Sequence, residues 1–136
     1  MEPQMSPLEA EVMLNKKLGA KTSRRTILNY EHGGLMPKAW RSENGKETYY
    51  TQAALAEFYA SWSLIHSDFT GVLPCFENGE NLRLNNSFVR GVRSMALGLS
   101  AGAGNPIALG LVKSFADAWT VYRDMALAKM RGVLSD

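Results

Sequence analysis

The alternation of apolar and polar positions divides the chain into five helix-like stretches and one hairpin. Ser6-Pro7-Leu8-Glu9 has the form of a capping box, with a hydroxyl at the cap, Pro at the first helical position and Glu at the third. Leu8, Val12 and Leu18 supply the apolar positions of this first helix, and Gly19 is its stop, with Lys16 and Lys17 in the last turn. After a short polar turn Ser23 caps a second helix that runs to about His32, where Gly33-Gly34 ends it and Pro37 prevents resumption. Two short helices joined by a tight turn make a helix-turn-helix pattern. Asn44-Gly45, between Lys38-Ala39-Trp40-Arg41 and Glu47-Thr48-Tyr49-Tyr50, predicts a β-hairpin. Thr51 then caps a third helix in which Leu55, Phe58, Tyr59, Trp62 and Ile65 recur at helical spacing.

The pattern changes at Thr70. From there to Leu84 the chain contains Gly71, Pro74 and a second Asn-Gly at Asn78-Gly79, which reads as a linker with room for a small hairpin. Helical spacing resumes from about Asn86 to Ser100, the glycine-rich run Gly98 to Gly104 interrupts it, and Asn105-Pro106 opens a long helix to about Leu134. In that helix Ala108, Val112, Phe115, Trp119, Tyr122 and Ala126 alternate at four and three, the spacing of a coiled-coil seam over fewer than three heptads. The division that follows is residues 1–66 as a first domain, 67–85 as a linker and 86–136 as a helical oligomerisation region.

Composition narrows the class. The 136 residues fit one domain with a short appendage, and 46% hydrophobic with 21% charged residues is ordinary for a folded chain. The single cysteine, Cys75, excludes an internal disulfide framework. No apolar run reaches the roughly 18 residues of a membrane span. The first residues carry acids where a secretory signal has a basic head, so a cytoplasmic location is expected. Cys75 with His66 and Asp68 is too sparse a set for a metal site. Gly98 to Gly104 follows no strand and lacks dinucleotide-binding spacing. Asn85-Asn86-Ser87 has the form of a glycosylation sequon, without consequence in that compartment. No carboxylate pair or activated nucleophile stands out, so neither an enzyme nor a cofactor is expected.

Charge changes the picture more than composition does. The net charge is +2, yet residues 16–46 hold eight Lys or Arg and two Glu, a local +6, which leaves −4 for the remainder. If Ile27, Tyr30 and Glu31 face the domain body, Arg25, Asn29 and His32 project together, with Thr22 and Arg24 at the leading end. Arg binds guanine bidentately, Asn binds adenine in the same way, and hydroxyls at a helix start suit phosphates. Lys38, Arg41 and Lys46 place a basic hairpin beside that helix, suited to tracking a phosphate backbone. The bland alternatives are a solvated helix face and an edge hairpin whose charges block strand pairing.

Ser23-Arg-Arg-Thr-Ile-Leu-Asn-Tyr-Glu-His-Gly-Gly-Leu-Met-Pro37 resembles the DNA-binding domain of the mercury-resistance-regulator (MerR) family. Ser23, Thr26, Ile27, Tyr30, Glu31, Gly34, Leu35 and Pro37 match that pattern, and Arg41 and Gly45 fall where the family has its wing Arg and turn Gly. The resemblance covers about residues 8 to 66. It implies a winged helix-turn-helix with the second helix in the major groove and the wing on the backbone. Leu28, Asn29 and Lys46-Glu47 depart from the pattern, as do two extra residues before Ser23 and one before Tyr50. Arg24, Arg25 and Lys46 are the cations available in place of two missing family arginines. A second stretch, Gly45-Lys-Glu-Thr-Tyr-Tyr-Thr-Gln-Ala-Ala-Leu55 with Thr26-Ile-Leu-Asn29 before it, resembles the winged helix-turn-helix of lambda-like phage small terminase subunits. That resemblance implies a DNA-packaging protein whose C-terminal helices serve oligomerisation.

The expected protein is mainly α: a MerR-like winged helix-turn-helix with a C-terminal helical hairpin that dimerises. Its expected partners are double-stranded DNA and a second copy, and its expected role is transcriptional regulation. The DNA-contacting set is Thr22, Ser23, Arg24, Arg25, Thr26, Asn29, Tyr30, His32, Lys38, Arg41 and Lys46. The dimer seam is Val112, Phe115, Trp119 and Tyr122. The first alternative is a terminase small subunit or a related DNA-processing accessory protein, and the second is an adaptor that uses the fold for protein contact.

Overall fold

A computed structural model describes residues 4–66, 84–99 and 106–133. The described chain is mainly helical with a small three-stranded sheet. In order it contains β1 (Gln4–Met5), α1 (Pro7–Lys17), α2 (Arg24–His32), β2 (Trp40–Arg41), β3 (Thr48–Thr51), α3 (Gln52–His66), α4 (Asn86–Ala96) and α5 (Pro106–Met130). The expected linker hairpin at Asn78-Gly79, together with Asp68 and Cys75, lies outside the described residues.

The local signals act where they were read. The Glu9 N–H donates to Ser6 Oγ at 3.2 Å and the Ser6 N–H donates to Glu9 Oε1 at 3.1 Å, closing the capping box of α1. At the end of α2 the Leu35 N–H reaches the Tyr30 carbonyl and the Gly34 N–H reaches that of Glu31. This pair of bonds closes the last turn of α2 and needs a left-handed residue at Gly34, which has φ +74°. Thr51 Oγ1 accepts from the Ala54 N–H at 3.0 Å at the start of α3. Asn44 Oδ1 accepts from Ser42 Oγ–H and from the Lys46 N–H, which shapes the hairpin turn around Gly45 at φ +71°.

Of the apolar positions expected to face the core from the first helix, Leu18 does so, whereas Leu8 and Val12 do not. Ala10, Met13, Leu14 and Leu18 are buried, whereas Leu8 and Val12 point to solvent. Both sets have helical spacing, and only the packing on α2 and α3 selects between them. The two-residue strand β1 was not anticipated. It pairs antiparallel with β3, Gln4 opposite Thr51 and Met5 opposite Tyr50, while β2 pairs on the other side, Trp40 opposite Tyr49. The sheet order is therefore β1-β3-β2.

One core runs through both halves. Ala10 and Leu14 of α1, Ile27 and Tyr30 of α2, Leu55 and Phe58 of α3, Val89 and Val92 of α4, and Trp119 and Ala126 of α5 belong to a single buried cluster. α3 is the central helix, and α5 lies along it. Trp119 is fully buried, and its Nε1–H donates to Ser61 Oγ at 3.0 Å while the Ser61 hydroxyl donates to the Leu35 carbonyl at 2.7 Å. Phe115 is also buried and meets Phe88 of α4 edge-on at 5.4 Å. Val112 and Tyr122 pack partly buried against the same cluster. The residues expected at a dimer seam are thus used inside the protomer, because α3 offers the apolar surface that a lone helical hairpin lacks. No described helix is long and apolar enough to cross a membrane.

Candidate nucleic-acid interface

The turn before α2 is held from α1. Asn15 Oδ1 accepts from the Thr22 N–H at 3.1 Å and its Nδ2–H donates to the Thr22 carbonyl at 3.0 Å. Glu11 Oε1 accepts from the Arg24 N–H at 3.0 Å, and its carboxylate stands 3.8 Å from the Arg24 guanidinium. Ser23 caps the helix by accepting from the Thr26 N–H at 3.2 Å, and the Ser23 and Thr26 hydroxyls share a bond of 3.1 Å. These contacts fix the leading end of α2 before any ligand arrives.

Three side chains set which way α2 faces. Ile27, Tyr30 and Glu31 are buried, so Arg25, Asn29 and His32 are exposed along the opposite side. Among the described residues, the side chains of Arg25, Asn29 and His32 have no hydrogen bond or ion pair. Tyr30, expected at the DNA contact, instead packs tilted against Phe58, with ring centroids 4.6 Å apart and planes 44° from parallel. Burial pushes its phenol up to about 12. It is a core residue because the helical spacing that exposes Arg25 and Asn29 turns position 30 inward.

The hairpin is tied to α2 through one buried carboxylate. Glu31 accepts from both terminal nitrogens of Arg41 (Nη2 to Oε1 at 2.8 Å), from the Ala39 N–H at 3.0 Å and from the Tyr50 hydroxyl at 3.3 Å. Burial pushes this carboxyl up, but the Arg41 hydrogen bonds, the Ala39 N–H, the Arg41 charge and the Tyr50 hydroxyl together hold it below the ordinary carboxylate range. Arg41, expected to reach a phosphate, spends its fork on Glu31. Its side chain remains 37% exposed, enough to border the surface without leaving the pair. The helical spacing allows Glu31 to face the domain body but names no partner for it. The available signal was an acid on the buried side of a helix, which requires a cation or several donors nearby.

Between α2 and the hairpin lies an open cavity of about 640 Å³. Arg24, Arg25, Leu28 and Asn29 line it from α2, Arg41, Thr48 and Tyr50 from the sheet, and Pro7 from α1. Lys46 is exposed at the hairpin turn, and Lys38 is exposed where the chain leaves α2 for β2. Trp40 is 53% exposed and lies against Tyr49 at 5.7 Å. Of the expected contact set, Arg24, Arg25, Asn29 and Arg41 therefore share one concavity, and Lys38, Lys46 and His32 are exposed outside its lining. Thr22 Oγ1 is buried without a partner among the described residues. Pro7, Leu28, Thr48 and Tyr50 were not foreseen as lining residues, because their place depends on where the hairpin docks.

Comparison of the chain with protein-family models, with curated proteins and with solved structures finds no match in any of the three. Among the described residues no group of three His, Cys, Asp or Glu side chains is arranged to hold a metal ion.

Proposed function

We propose that residues 6–66 form a winged helix-turn-helix that binds double-stranded DNA, with α2 in the major groove and the β2–β3 hairpin on the backbone, and that the chain is a transcriptional regulator. The observation that carries this reading is the exposed side of α2. Arg25 and Asn29 stand one turn apart, unpartnered among the described residues, on a rigid helix beside a cavity edged by Arg24 and Arg41. A helix that carries one bidentate reader of guanine and one of adenine in adjacent turns has the equipment for direct readout. The local +6 of residues 16–46 supplies the sequence-independent attraction to phosphate. Arg41 acts indirectly, by holding the hairpin at a fixed angle to α2 through Glu31.

Fluorescence anisotropy with labelled duplexes between 50 and 200 mM salt tests the reading. Affinity is expected to fall steeply with salt. Lys46→Ala is expected to weaken all duplexes alike and to reduce the log–log slope by about 1. Asn29→Ala is expected to relax preference at one base pair of a site obtained by in-vitro selection, at a cost of about 1–3 kcal/mol there. If no duplex binds at low salt, the surface is not a nucleic-acid interface and the fold serves protein contact.

A further inference from the structure

We infer that the outer face of α1 is the surface through which two copies of this chain associate. Leu8 and Val12, one turn apart, are 54% and 43% exposed. Scattered exposed apolar residues are ordinary, but these two lie with Met5 and Met13 along one open groove of about 520 Å³. Glu9 borders the groove at the N-terminal end of the helix, and Lys16 and Lys17 border it at the C-terminal end. Among the described residues neither lysine has an acidic partner.

That arrangement is self-complementary. When α1 packs antiparallel on its own copy about a two-fold axis between Val12 and Met13, Glu9 comes opposite the partner's Lys16, and the exposed Val12 of each copy lies beside the axis against the partner's Val12. Leu8 then lies along the aliphatic stem of the partner's Lys17. The antiparallel order also sets the positive end of each helix dipole beside the negative end of the other. A foreign partner needs an acid at one end and a base at the other of its own apolar strip, whereas a second copy supplies both by symmetry. This groove and the cavity between α2 and the hairpin share no lining residue, so association leaves the latter open. One face of an 11-residue helix is smaller than the roughly 800 Å² per partner of a standard interface, so the dimer is expected to be weak.

Sedimentation equilibrium of the full chain from about 1 µM to 1 mM tests the inference, independently of any DNA binding. Wild type is expected to pass from 15.0 kDa towards twice that mass as concentration rises. Val12→Glu is expected to weaken association at least tenfold, with an unchanged far-UV circular dichroism spectrum because the site is half exposed. Glu9→Lys and Lys16→Glu are each expected to weaken self-association, and mixing the two variants is expected to restore it, since each meets its opposite charge in the other. That rescue does not follow from damage to the fold. A wild type that stays at 15.0 kDa throughout overturns the inference, even if it captures an added acidic amphipathic peptide. A dimer that survives both Leu8→Glu and Val12→Glu overturns it as well.

Discussion

Replacing Arg41 by Ala tests the joint between α2 and the hairpin. The Glu31 side chain is 1% exposed, and its two oxygens accept both Arg41 bonds, the Ala39 N–H and the Tyr50 hydroxyl. The variant leaves a buried carboxylate with the last two donors only. Removing one partner of a fully buried ion pair costs about 3–5 kcal/mol, because the remaining charge is uncompensated. Arg41 is 37% exposed, so water takes part of its place, and the expected loss is about 2–3 kcal/mol. Against a total stability of about 5–15 kcal/mol this is a large fraction. Urea unfolding at pH 7 is expected to show a lower midpoint with an unchanged slope.

Acidification provides the internal control. In the wild type the Glu31 carboxyl is depressed, so its contribution to stability is present above its ordinary value of about 4.5 and is lost as pH falls through the folded value. In the variant the Arg41 contributions are gone and burial pushes the carboxyl up, so protonation relieves the penalty at higher pH. The stability gap between the two proteins is therefore expected to narrow from pH 7 towards pH 4. Adding Glu31→Gln to Arg41→Ala is expected to recover part of the loss at pH 7, since the buried charge is gone. A loss below about 0.5 kcal/mol at pH 7, within the range of ordinary surface substitutions, refutes the reasoning. So does a gap that widens on acidification.

Ser61→Ala is expected to cost about 2–4 kcal/mol in urea midpoints, because it strands the buried Trp119 Nε1–H and the Leu35 carbonyl, each worth about 1–3 kcal/mol when left unpaired. Adding Trp119→Phe, which removes the stranded donor, is then expected to cost less than the same change in wild type. In alkali, burial holds Tyr30 up to about 12, and burial with the neighbouring Glu31 charge does the same for Tyr50. Stability from these phenols is fully present below the unfolded value of 10.0 and is lost as pH rises towards 12, by about 2–3 kcal/mol for each tyrosine. Tyr30→Phe is expected to flatten that decline, and an unchanged pH profile in this variant speaks against a buried, neutral phenol at position 30.

What the chain states locally, it states clearly. Ser6, Ser23 and Thr51 cap the helices they precede, Gly34 closes α2, and Asn44-Gly45 turns the hairpin, because each satisfies backbone groups within a few residues of itself. Helical spacing leaves Arg25, Asn29 and His32 outside once Ile27 and Glu31 face inward, and the same spacing buries Tyr30, which was expected at the DNA contact. Tertiary structure decided everything that depends on which surfaces meet. Two residues at Gln4–Met5 hold no strand signal of their own and become β1 only because β3 offers an unpaired edge. In α1, Leu8 with Val12 and Ala10 with Leu14 both have helical spacing, and the apolar surface of α2 and α3 chooses the second pair. Trp119 has the spacing of a seam to another chain, yet the Ser61 hydroxyl and the apolar side of α3 receive it within the protomer. Glu31 required a cation from the moment it faced inward, and only the docked hairpin identified it as Arg41. A sequence carries the needs of its side chains, whereas the partner that meets each need is set by the packing of segments far apart along the chain.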